Sequence, residues 1–189
     1  MPKRLTLGLL LMGLALLSAC SLLRPKPHVQ PWLSVLPPAS LQQQLWALQK
    51  VSGERQGDSF VLLFQVEVDA TQMALVGSAV SGTTLFSVHY QDGEISAERS
   101  PFLPAVLDPA FVLADFQLAY WPLPAVAAAL AGTPYRVEQA GDTRQLWQAD
   151  ELLASVHYSS ADPWQGPVQF DNKHWGYQYQ IETLQYETH

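Results

Sequence analysis

In residues 59–69, SFVLLFQVEVD, the side chains alternate in character: Phe60, Leu62, Phe64, Val66 and Val68 fall on one side, Gln65, Glu67 and Asp69 on the other. A period of two is the signature of a strand with one dry face and one wet face, because a helix would scatter these positions around its axis. A strand with a dry face needs neighbours, and the sequence supplies them. QMALVGSAV and TTLFSVHY continue the pattern across Ser81-Gly82, and Asp92-Gly93 turns the chain into EISAE. Both pairs suit hairpin turns, so this part is expected to be an antiparallel meander.

The alternation stops at PFLPAVLDPAFVLADFQLAYWPLPAVAAALAGTP. Asp108-Pro109 reads as an N-cap followed by proline at the first helical position, and Val112, Leu113, Phe116 and Tyr120 then share a face. A second short helix is expected from near Pro124 to Gly132. Strands resume with YRVEQA, TRQLWQAD, LLASVHYSS and PVQFDN, and a last one spans His174 to Tyr186. In that last strand Trp175, Tyr177, Tyr179 and Ile181 share a face, and the phase shift to Leu184 and Tyr186 predicts a bulge near Thr183. Ahead of the first meander, Ser40 and Gln43 have capping-box spacing, and Leu41, Leu45 and Leu48 fall at helical intervals, which predicts an N-terminal helix.

The expected class is mainly β with helices (α+β). The architecture is a strongly curved antiparallel sheet or half-open β-barrel, with the N-terminal helix and two mid-chain helices closing its cavity. Large apolar side chains on the inner faces, with helices across the mouth, suit a cavity for acyl or polyene chains. A fully packed core fits the same pattern. Candidate lining residues from the alternation are Phe60, Phe64, Val66, Phe86, Phe116, Trp121, Tyr177 and Tyr179.

The N-terminus bears on compartment. Lys3 and Arg4 precede an apolar run from Leu5 to Leu17, too short to span a bilayer core of about 20 residues, and Ser18 and Ala19 are small. This is the layout of an export signal. The tetrapeptide LSAC resembles the lipobox of bacterial lipoproteins, with Leu17 three before Cys20, the single cysteine of the chain. The resemblance implies lipidation at Cys20 and removal of residues 1–19, and Ser21 in place of aspartate implies the outer membrane, facing the periplasm. Three acyl chains would make the anchor permanent. Residues 20–38 then read as a proline-rich tether and 39–189 as a single domain. Without Lys3 and Arg4 the ten basic residues fall to eight against 17 acidic, so nucleic acid is not an expected partner.

Catalytic signals are missing. SVHY occurs at Ser87–Tyr90 and Ser155–Tyr158, but His89 and His157 fall on the polar phase of their strands and read as surface residues. VGSAVSG is not a G-x-S-x-G elbow, and Asp108 and Asp115 read as a cap and a helix-surface charge. No enzyme activity, cofactor or metal is expected.

The order of elements on an exported chain resembles the lipoprotein carriers LolA and LolB. The run YQDGEIS to AVAAAL is similar to DUF3261 lipoproteins, whose D-x-Q/F-L-x-x-W-P element would here be Asp115, Phe116, Gln117, Leu118, Trp121 and Pro122. That resemblance covers most of residues 51–186. It implies a link to aryl-polyene and related fatty-acid-like products and a role in carrying or receiving such a product at the outer membrane; the expected partners of this membrane-anchored chain, read as a monomer, are a hydrophobic or acylated ligand and a periplasmic carrier protein, with the direction of transfer open. A non-catalytic assembly lipoprotein of an envelope or biosynthetic complex is the alternative.

Overall fold

The structure, a computed structural model, describes residues 35–55, 57–103 and 108–189. The signal at 1–19, Cys20 and the tether as far as residue 34 lie outside the described residues. Ten antiparallel strands form one sheet: β1 (Leu45–Arg55), β2 (Asp58–Val68), β3 (Gln72–Ala79), β4 (Thr84–Gln91), β5 (Glu94–Arg99), β6 (Tyr135–Ala140), β7 (Thr143–Gln148), β8 (Glu151–Tyr158), β9 (Val168–Asn172) and β10 (Tyr177–Thr188). Their order across the sheet is β5-β4-β3-β2-β1-β10-β9-β8-β7-β6, so two five-stranded meanders meet where β1 pairs with β10. The sheet is curved and open, with β5 and β6 at its edges. Both predicted hairpin turns form, and Asp92 and Gly93 adopt the positive φ of 53° and 83° that such a turn requires.

Helix α1 (Pro109–Tyr120) and helix α2 (Leu123–Leu130) join the meanders. Asp108 caps α1 as expected, accepting from the Ala110 amide at 3.0 Å. Of the twelve residues of α1, all but Phe111 and Val112 are buried. A helix that is apolar all round is a core element, and here the sheet curves around it. Phe64, Phe86 and Val66 from the strands meet Leu113, Phe116 and Trp121 from the helical connection in a single core cluster. Gly77 is part of this fit: a Cβ there would lie 2.2 Å from the Phe86 ring, so glycine lets that ring lie flat on β3.

Three sequence expectations need correction. The N-terminal helix is absent: Pro38–Leu41 makes one turn of 3-10 helix, which ends at Gln42 in the left-handed region (φ 66°), and Leu45–Arg55 is the central strand. Leu45, Ala47, Gln49 and Val51 are all buried, a period of two, and β1 is hydrogen-bonded to β2 on one side and β10 on the other. Those two ladders outweigh a weak local helical pattern. The Ser40 hydroxyl binds the Pro37 carbonyl at 2.6 Å instead of capping a helix. Second, Trp175 is outside the last strand, in a turn where Gly176 has φ 65° and the Trp175 amide binds Asn172 Oδ1 at 2.9 Å. Third, Asp115 is buried in the core and is not a helix-surface charge. The bulge near Thr183 forms: Gln49 faces Thr183 while Leu48 faces Gln185, leaving Leu184 extra.

Candidate functional site

The eight candidate lining residues separate into two groups. Phe64, Val66, Phe86, Phe116 and Trp121 are buried in direct packing, with Phe64 edge-on to Phe86 (centroids 5.6 Å) and Phe116 against Tyr120 (4.7 Å). Phe60, Tyr177 and Tyr179 line an apolar slot with Asp108, Phe111, Val112 and Asp115, between the first half of α1 and strands β2 and β10. Its volume is about 30 Å³, room for about one water molecule. Helix α1 thus occupies the groove in which an acyl chain was expected. Lifting out Leu113, Phe116, Leu118 and Tyr120 at about 2 kcal/mol each would cost about as much as a domain's whole stability.

Asp115 is the polar floor of the slot. The Tyr177 hydroxyl donates to its Oδ2, the Tyr179 hydroxyl lies 3.4 Å from the same oxygen, and Asn172 Nδ2 donates to the Tyr177 oxygen at 3.0 Å. Burial first, and then the adjacent Asp115 carboxylate, push the Tyr179 hydroxyl well above the ordinary tyrosine range. Both effects keep it a neutral donor.

At the other end of α1 lies a half-open cleft of about 770 Å³. Its floor includes Tyr120, Trp121, Tyr158 and Trp164, and its rim carries Gln43, Gln139, Asp142, Ser160 and Asp162. Tyr120 and Trp164 stack at 4.2 Å. Arg144 is buried between floor and helix end, where Nη1 donates to the carbonyls of Leu118 (2.7 Å) and Trp121 (2.8 Å) and Nε and Nη2 reach Gln139 Oε1 (3.3 and 3.2 Å). The last carbonyls of a helix carry partial negative charge, so this cation compensates the end of α1. Burial lowers the Arg144 pKa, and Tyr158, whose hydroxyl donates to the Ala119 carbonyl at 2.6 Å, is pushed up to about 12 by its own burial.

One wall of the cleft is the chain's own N-terminal arm. Leu36 donates its amide to Gln117 Oε1 (2.8 Å) and accepts from Gln117 Nε2 (2.9 Å), while Trp121 Nε1 donates to Ser40 Oγ at 2.8 Å. Residues 35–38, counted with the tether in the sequence, therefore pack on the domain, with Leu36 and Pro38 buried. Fixing Val35–Leu41 costs about 1–2 kcal/mol per residue, less at Pro37 and Pro38 where φ is already set. Two buried leucines at about 1.5–3 kcal/mol each and three hydrogen bonds at about 1 kcal/mol each offset this to within a few kcal/mol. Docking is close to balanced.

The D-x-Q/F-L-x-x-W-P element thus marks an internal hub: Asp115 holds the tyrosines, Gln117 and Trp121 hold the arm, and the Leu118 and Trp121 carbonyls receive Arg144. The sequence reading missed Arg144, Asn172 and Gln49. Each is a polar residue in the inward phase of a strand, which is the signal that could have found them. His89 and His157 are exposed on β4 and β8, with β3, β2, β1, β10 and β9 between them. Among the described residues no group of His, Cys, Asp and Glu could hold a metal ion, and no helix is long and apolar enough to cross a membrane.

A family model described as "Protein of unknown function (DUF3261)" matches residues 46–185. No curated protein matches the chain. Among solved structures, the chain is similar to a domain from Vibrio parahaemolyticus described as an outer membrane lipoprotein-sorting protein domain. That similarity has 9% identity and a TM-score of 0.42, over 77% of this chain and 85% of that one.

Proposed function

The chain belongs to the DUF3261 family, and from the cleft at the end of α1 we propose that it is a non-catalytic, lipid-anchored envelope protein that binds a hydrophobic, acylated ligand there and helps transfer it. The reading places the anchor at Cys20, in the outer membrane and facing the periplasm. The observation that carries it is the cleft of about 770 Å³, with an aromatic floor and a polar rim. Ligand sites commonly have about 300–1,000 Å³ and a few convergent polar groups on an apolar lining. Trp164 and Tyr158 supply the little exposed ring surface of the floor, with Trp121 fully buried behind it, and Gln139, Asp142 and Asp162 offer hydrogen bonds to a head group. Lipids, aryl-polyene-type products and lipoprotein acyl chains all combine such parts.

Native mass spectrometry of the protein taken from its own membranes tests this directly. A bound amphiphile is expected in the wild type and is expected to be absent when Ser160→Trp fills the cleft from its rim. An amphiphile retained in equal amount by that variant would remove the cleft from the proposal. The filled groove favours a second reading, an assembly lipoprotein that works through its outer surface. No bound amphiphile in either protein, together with recovery of the same partner from both, would support it.

A further inference from the structure

We propose that the arm Val35–Leu41 is a reversible strap, which swings open about Gln42 while the sheet and α1 stay folded. Opening it removes one wall of the cleft and uncovers the C-terminal half of α1. Three independent observations carry the inference.

The first is how the arm is held. The Gln117 side-chain amide grips the backbone of Leu36 from both sides, as a neighbouring strand would, and the indole of Trp121 holds Ser40. Both holding groups are side chains, Gln117 within α1 and Trp121 at its C-cap, so the arm can leave without breaking any backbone ladder. The second is the hinge. Gln42 is a non-glycine residue at φ 66°, a conformation that stores strain, and it stands between the arm and β1. Gln44 is already tied to the end of the sheet through a pair of backbone bonds with His189, so movement on the far side of Gln42 need not disturb the strands. The third is the near-balance between the cost of ordering the arm and the contacts that hold it. β1, by contrast, is paired along its whole length on both sides.

The strap belongs to the cleft as well as to the tether. Leu41, the last residue of the arm, lines the cleft, as does Trp121, which also binds the arm. In the sequence the strap is the described segment nearest an N-terminal anchor, so a pull from that side would act on the cleft wall. That link to the anchor rests on the lipid-anchored reading; the opening itself does not.

Hydrogen exchange on the full chain, without ligand, tests the strap separately from the ligand proposal. The amide of Leu36 is bonded to Gln117 only while the arm is docked, and it is expected to exchange at least about tenfold faster than that of Val51 in β1, as local opening requires. Ser40→Ala, which removes the Trp121 partner, is expected to raise the arm's rates several-fold further and leave Val51 unchanged. Equal rates for the arm and Val51 in the wild type would overturn the proposal. So would a Ser40→Ala variant in which arm and strand speed up together, or in which the arm's rate does not move.

Discussion

One buried acid and one buried base pack at helix α1, and the two are enclosed differently. Asp115, in the first half, meets Tyr177 and Tyr179 in a slot of about 30 Å³. Arg144, at the C-terminal end, meets helix carbonyls on the edge of a cleft of about 770 Å³. The helix itself creates the contrast. Where its large side chains lie under the curve of the sheet, they consume the space a carrier would leave for a chain. Where the helix stops, the β8–β9 loop and the arm stand apart and leave room. A sheet of the right curvature is therefore not sufficient evidence of an interior binding cavity, because a helix apolar on all sides can be the resident occupant.

The strongest way to break the contrast is to empty the groove. Phe116→Ala is expected to cost about 3–5 kcal/mol in urea unfolding, because the surrounding rings can close only part of the void. A loss under about 1 kcal/mol would mean the interior is loose and could open to a chain. Next in size, Arg144→Met should cost about 3 kcal/mol, since it strands buried carbonyls at the helix end. The same denaturation experiment on Asp115→Asn should give about 1–2 kcal/mol: the amide can still accept from Tyr177, but without the charge that strengthens the bond. If Asp115→Asn proved costlier than Arg144→Met, the slot and not the cleft end would be the more heavily constrained site.

The smallest effect concerns an exposed carboxylate that throws the buried one into relief. Asp69 accepts from the amides of Thr71 (2.7 Å) and Gln72 (2.9 Å) in the β2–β3 turn, and these bonds lower its pKa from 3.8 to about 2. A lowered folded pKa means the carboxylate supports the turn fully above pH 3.8 and loses that support as pH falls through about 2. Amide chemical shifts of Thr71 and Gln72 should therefore hold steady down to pH 4 and move together between about pH 3 and 1.5. Movement centred near pH 4 would show that the turn bonds do not persist in solution.

Much of the sheet was readable because its signals are local. The alternation in β2, the Asp92-Gly93 turn and the Asp108-Pro109 cap each act within a few residues, and each forms as expected. β1 was misread because its evidence is not local: three leucines at helical spacing compete with two ladders, one of them to strand β10 at the far end of the chain. Asp115 was misread for a related reason, since periodicity cannot identify the solvent side of a helix that has none. The site was less legible than the fold. Three of the eight candidate lining residues, Phe60, Tyr177 and Tyr179, meet at a slot, but the cleft is made by the end of α1, the arm and the loop after β8, which only the folded chain brings side by side. The inward phase of Arg144 in TRQLWQ was the one visible hint of a polar group in that region.

The central claim is that a ligand sits at the end of α1 and not beneath it. Photolabelling with a diazirine-bearing acyl amphiphile, followed by mapping of the modified peptides, tests this most directly. The account predicts labels on residues 158–164 and 141–144, reduced by Ser160→Trp. Labels concentrated on Phe64, Val66 and Phe86 would contradict it, because they would place the chain in the space that α1 fills.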